Sequence, residues 1–236
     1  DTVAYTIHGP VMYDNEYGER NGLREMLAVC WMGHRATNEL LAIYLLNRSG
    51  SYGEFVDAIM NFQCPSQNIA YADRKGNIAL WGQGQYANLW KGQGRFVMNG
   101  SDSATLWKEL IPMRENPHVL NPAQGFVSSA NQITTDTTYP YYYNSGGFVN
   151  LRAWRMNEML SKMQQITIDD MCKMQNDNHS LLAERMLPAL LRYCSAINDP
   201  YIDRLRKWDY DLNAESEAAS LFQVWWYYFF GSIWHP

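Results

Sequence analysis

Apolar and polar positions alternate along the first residues, "DTVAYTIHGPVMYD", and predict a strand that ends at the His8-Gly9-Pro10 turn or runs just past it. The apolar stretch from Arg24 to Met32 predicts another. In "TNELLAIYLLNRSG" the apolar residues fall at helical spacing, and the pattern stops at Ser49-Gly50. Ser51, with Glu54 three residues on, carries the capping-box signature of a helix over "YGEFVDAIMNF", and Pro65 lies beyond its end. "SQNIAYADRKGNIALWGQG" holds two alternating runs joined by Asp73-Arg74-Lys75-Gly76-Asn77, a Gly-containing loop of hairpin length. The stretch from Lys91 to Pro122, with Pro112, Pro117 and Pro122, predicts irregular surface chain. "GFVSSANQ" then reads as a short, half-buried strand ending in an amide pair.

From about Asn150 the period becomes helical, through "LRAWRMNEMLSKM", "TIDDMCKMQNDNHSLLAERMLPALLRYC", "PYIDRLRKWD" and "SEAASLFQVWWYYFF". Thr167 followed by Asp169 and Asp170 marks a helix start with acids in its first turn. Strands first and helices afterwards predict an α+β fold: a strand-rich portion with two helices over 1–149 and a helical portion over 150–236.

Composition narrows the chemistry. Hydrophobic residues at 47% and charged residues at 18% exclude a disordered chain. A net charge of -5 argues against nucleic acid or an anionic membrane as main partner, since both need a basic footprint. The apolar run "LFQVWWYYFFGSIW" is too short for a bilayer span, contains Gln223 and Gly231, and predicts a buried helix. The start has neither the basic nor the apolar region of a signal peptide. Cys30, Cys64, Cys172 and Cys194 stand far apart without metal-ligand spacing and predict buried free thiols, although their even count permits disulfides. His8, His34, His118, His179 and His235 assemble no HExxH or triad signature. "GQGQYANLWKGQGRF" is Gly-rich, but no helix start follows to receive a phosphate.

Asn131 has two readings. At a strand end Asn is usually turn chemistry, because it bonds nearby backbone and tolerates left-handed dihedrals. Alternatively, its amide is aimed at a ligand.

The residues at the joints of these elements settle on one family. "YTIHGPV", "PSQNIAYADRKGNIAL", "WKELIPMRENPHVLNPAQGFVSSANQ", Tyr139-Pro140, "LRAWRMNEML" and "KWDYDLNAESEAASLFQVWW" occur in the order found in the penicillin acylase (penicillin amidase) family of N-terminal-nucleophile hydrolases, which the chain resembles nearly end to end. The resemblance implies part of an αββα sandwich and an enzyme that cleaves the acyl side chain from an amide. Asp1 is not Ser, Thr or Cys, and "YTIHGPV" resembles a position well downstream of the processed terminus. The segment is therefore expected to be part of a β chain that lacks the nucleophile, inactive alone, whose partners are the remainder of its own precursor and a small acyl amide substrate.

Site residues follow from the same resemblance. Asn131 matches the oxyanion-hole Asn. Arg152 matches the active-site Arg near the nucleophile's amino group, with Arg155 as the adjacent alternative; either Arg could instead form a surface ion pair. Gln67 matches a position lining the acyl pocket, although a polar strand residue more often faces solvent or pairs with backbone. No cofactor is expected for catalysis. Family members hold a structural calcium partly through an acid after the Tyr-Pro pair, but "YPYYYNSGGF" offers none and leaves only carbonyls or Asn144. The "YYY" run suggests an aromatic surface near the substrate entrance. The family's usual export implies the periplasm or cell exterior of a bacterium. The competing expectation is a non-catalytic binding protein on the same scaffold.

Overall fold

In the computed structural model of the chain, residues 2–13, 25–142 and 150–234 are described. It divides into two compact units, Asp1–Phe148 and Val149–Pro236.

The first unit holds two three-stranded antiparallel sheets. The opening alternation forms a hairpin, β1 (Tyr5–Thr6) and β2 (Gly9–Tyr13), with the turn at Ile7-His8, and β3 (Leu27–Ala28) pairs with β2. Strand β3 covers only two residues of the longer apolar stretch that suggested it. The helices α1 (Glu39–Leu46) and α2 (Tyr52–Ile59) follow as their periodicity indicates. The α2 cap differs in one detail from the capping box. The Ser51 hydroxyl accepts from the Glu54 amide at 3.3 Å, but the Glu54 carboxylate takes the Gly50 N–H at 2.6 Å instead of that of Ser51.

The hairpin expected around Gly76 is β4 (Gln67–Ala72) and β5 (Ile78–Gln83), in register from Gln67 opposite Gln83 to Ala72 opposite Ile78. Its loop is organised by one carboxylate. Asp73 accepts from the Lys75 and Asn77 backbone amides, the Asn77 side chain and the Tyr71 hydroxyl, at 2.8 to 3.0 Å. These donors, led by the Asn77 amide, pull its pKa down to about 2. A third strand, β6 (His118–Leu120), pairs with β5 inside the segment that its prolines mark as irregular. Pro117 only precedes it, so it can join an edge.

The apolar face of α2 packs on this sheet, with Phe55, Val56, Ile59, Ala79 and Trp81 buried together. Beneath them lies a buried polar chain whose Asn116 Oδ1 has no hydrogen-bond partner among the described residues. The fully buried Gln83 amide donates to the Ile59 and Phe62 carbonyls, and Asn116 donates to Gln83 and to the Gly84 carbonyl. It ties β5 to the end of α2 and to the turn before β6.

"GFVSSANQ" is not a strand: Gly125 to Gln132 join no ladder among the described residues. Alternation is only a potential for pairing, and here local side-chain bonds to backbone replace a neighbouring strand.

The second unit is helical: α3 (Leu151–Lys162), α4 (Ile168–Gln175), α5 (Leu181–Tyr193), α6 (Pro200–Arg206) and α7 (Glu217–Trp234). Its start signals work as written, with a complete Thr167–Asp170 capping box on α4, a Ser180 cap on α5, and Asp199 capping α6 ahead of Pro200. Ala183 and Leu187 of α5, Leu205 of α6, Trp208, and Ala218, Ala219 and Phe222 of α7 form its core.

Two expectations of burial fail. The terminal apolar run is a helix, but burial along it stops at Phe222, while Val224, Tyr227, Tyr228, Phe230, Ile233 and Trp234 are exposed. Only its first turns lie against α6 and Trp208. The cysteines are free but none is buried: Cys30 lies on the chain leaving β3, Cys172 on a helix that buries no residue, and Cys64 and Cys194 are half-buried.

Candidate active site

In the first unit the site is built from the opening of β4 outward. Gln67 is exposed on the first position of a strand whose other edge is open among the described residues. No hydrogen bond of its side chain is found among the described residues, and both the solvent-facing and the pocket-lining alternatives need an exposed side chain. Gly84, with φ at +158°, lets the chain leaving β5 pass close by: a Cβ there would lie 2.6 Å from that of Ser66. The neighbouring Asn68 amide donates to the Ser129 hydroxyl at 2.6 Å.

The segment carrying Asn131 is thus pinned at two places. Upstream, Asn121 continues the β5–β6 pairing: its amide oxygen accepts from the Ile78 N–H and its amide nitrogen donates to the Asn77 side chain, both at 2.9 Å. After the Pro122-to-Gly125 turn, closed by a 2.9 Å backbone bond, the chain returns past Asn68 at Ser129.

Asn131 itself adopts φ +64° and is exposed. This is the left-handed region, which Asn tolerates better than other non-glycine residues. The turn reading therefore describes the backbone here, and the residue lies on the surface. Gln132 holds the turn. Its amide oxygen accepts from the Ala130 N–H at 2.6 Å, and its amide nitrogen donates to the Ser128 carbonyl at 2.9 Å. Nothing in the sequence alone singles out Gln132, because its bonds depend on the fold of the turn.

Beside this segment, Tyr139 donates to the Glu115 carbonyl at 3.0 Å, Tyr141 donates to the Glu115 carboxylate, and the two rings meet edge to face. The Glu115 carboxylate, as acceptor, pushes the Tyr141 phenol up. Tyr143 and Asn144 lie outside the described residues. Among the described residues no group of three His, Cys, Asp or Glu is arranged to hold a metal ion.

In the second unit, the two candidate arginines occupy different environments one turn apart on α3. Arg152 is exposed in the first turn. Arg155 is half-buried and grips Asp177 through two bonds of 2.8 and 2.6 Å, with Glu158 at 3.8 Å. The Arg155 guanidinium holds the Asp177 carboxyl below its ordinary range. Arg155 thus forms an ion pair that ties α3 to the chain ahead of α5. No helix of the described residues is long and apolar enough to cross a membrane.

The chain is 24% identical over 249 residues to the acyl-homoserine lactone acylase QuiP of Pseudomonas aeruginosa, covering 94% of this chain and 29% of that protein. It is 24% identical over 219 residues to penicillin G acylase of Escherichia coli, covering 88% and 25%. In fold it matches the thermostable penicillin G acylase of Alcaligenes faecalis with a TM-score of 0.67 at 20% identity, over 89% of this chain and 38% of that one. The chain thus spans under a third of the length of the curated relatives it matches. Its α+β organisation, two small sheets and seven helices among the described residues, is that of the penicillin acylase N-terminal-nucleophile fold. The penicillin amidase family profile matches residues 1–236, and the chain belongs to that family.

Proposed function

We propose that this chain is part of an amide hydrolase that removes an acyl group from an N-acyl substrate through an acyl-enzyme. The Asn131 side chain donates to the oxyanion, Arg152 orients the nucleophile's amino group, and Gln67 lines the acyl pocket. The nucleophile comes from another part of the same precursor, exposed by autoproteolytic processing, and these 236 residues alone are inactive. An α-amino group titrates near ~8, so it can take the proton of its own residue's hydroxyl or thiol at neutral pH without a histidine. The tetrahedral intermediate then needs a neutral donor fixed where its negative charge forms.

The observation that carries this reading is the Asn131 turn: an exposed amide on a left-handed backbone, clamped by Gln132. The names of the relatives suggest acyl-homoserine lactones or penicillins as substrates, and the export usual in the family supports the bacterial periplasm or exterior as location. A structural calcium, if kept, takes its ligands largely from the rest of the precursor. The test is to express the complete precursor, confirm processing by mass spectrometry, and follow amine release from penicillin G and N-octanoyl-homoserine lactone. Turnover that is abolished when the new N-terminal residue is replaced by Ala supports the reading. A processed protein that binds acyl amides without cleaving either probe overturns it in favour of a binding protein.

A further inference from the structure

Gln132 is half-buried directly after Asn131, and both ends of its amide are used on backbone. The oxygen takes the N–H of Ala130 at 2.6 Å and the nitrogen gives to the carbonyl of Ser128 at 2.9 Å. These are backbone groups of the very turn that presents Asn131 at φ +64°. Because Gly125 to Gln132 join no ladder among the described residues, the turn has no strand neighbour to fix its backbone. Ser129 is held to β4 by Asn68. Gln132 adds a second hold, on Ser128 and Ala130 to either side of Ser129.

We infer that Gln132 is a positioning residue for the Asn131 donor, a role that rests on the oxyanion reading of Asn131. The chemistry needs both halves of a neutral amide. A hydrocarbon of the same length makes neither bond. A carboxylate can accept from the Ala130 N–H but cannot donate to the Ser128 carbonyl, whose oxygen it would repel. A protonated carboxylic acid has one donor and one acceptor and reproduces both. Misplacing a catalytic donor by about 1 Å can lower a rate by about 10²-fold, so losing the clamp acts on turnover and not on substrate binding.

The experiment uses the complete processed protein with penicillin G and N-octanoyl-homoserine lactone as probes, and four variants: Gln132→Met, Gln132→Glu, Asn131→Ala, and Asn131→Ala combined with Gln132→Met. Gln132→Met is expected to lower kcat by about 10- to 100-fold with KM within about twofold. In the Asn131→Ala background the same change is expected to add almost nothing, because there is no donor left to position. Gln132→Glu should be slow at pH 8 and recover severalfold relative to wild type as the pH falls toward ~4.5, where its carboxyl takes up a proton. Such recovery is not expected of Gln132→Met. An equal loss of kcat from Gln132→Met with and without Asn131 overturns the inference and leaves Gln132 a general stabiliser. A full rate in Gln132→Met overturns it as well. If instead Asn131→Ala keeps wild-type turnover, the oxyanion reading itself fails. Should Gln132→Met not fold, the pH profile of Gln132→Glu decides alone, with no recovery counting against the role.

Discussion

Asn68 and Ser129 stand 61 residues apart and meet through a 2.6 Å hydrogen bond from the Asn68 amide to the Ser129 hydroxyl. The bond joins the strand that carries Gln67 to the segment that carries Asn131, so the proposed acyl-pocket residue and the proposed oxyanion donor share one support. Ser129→Ala in the complete protein should therefore lower kcat/KM by about two- to tenfold, the loss of roughly one hydrogen bond, with little change in thermal midpoint. Steady-state kinetics beside a melting curve check both halves of that statement.

Asn131 can be tested without confounding donor loss and backbone strain. Glycine adopts φ +64° freely, whereas alanine there costs about 1 kcal/mol. Asn131→Gly and Asn131→Ala should both lose about 10²- to 10³-fold in kcat, as expected for one oxyanion donor. Only Asn131→Ala should also melt earlier. A fast Asn131→Gly enzyme would show that the turn matters and the amide does not.

The two arginines of α3 should separate by assay. Arg155→Ala leaves the half-buried Asp177 carboxylate without its bidentate partner and should destabilise the protein by roughly 1–3 kcal/mol in denaturant titrations. Arg152→Ala, at the exposed first turn of α3, should depress turnover by more than Arg155→Ala does. The reverse pattern would move the catalytic assignment to Arg155.

Much of this architecture was legible in the sequence because it is governed locally. The Thr167–Asp170 cap, the Asp73-to-Asn77 loop and the helical period after Asn150 are each decided by residues within a few positions of one another. What could not be read depends on distant partners. β6 exists only because β5 offers it an edge, and "GFVSSANQ" fails as a strand because nothing described here pairs with it. The exposure of the second half of α7 depends on which faces other parts of the fold cover, and hydropathy alone does not encode that. At the site, Asn131 and Arg152 stood out through family motifs. Gln132 and Asn68 did not, since their bonds are visible only once the turn is folded.

The Asp73 loop gives a pH prediction. Its folded pKa of about 2 lies below the ordinary carboxylate value, so the stabilisation is fully present above pH ~4 and is lost as the pH falls through about 2. Asp73→Ala should melt earlier than wild type at neutral pH, and the gap should close between pH ~4 and ~2. A gap that stays constant over that range would assign the effect to packing and not to the charged loop.

The contacts around α2, β4 and β5 have a kinetic consequence. Phe55, Val56 and Ile59 meet Ala79 and Trp81 over short stretches of chain, and α1 packs on α2 directly before them. Closing such short loops costs little entropy, so this hairpin-and-helix module can assemble early. The Asn131 segment, joined to it across 61 residues at Ser129, has to dock on a surface that already exists. Gln67 is thus carried by the part of the chain that sets its shape first, and Asn131 by a part that takes its place afterwards. Their geometry becomes complete only at that last closure.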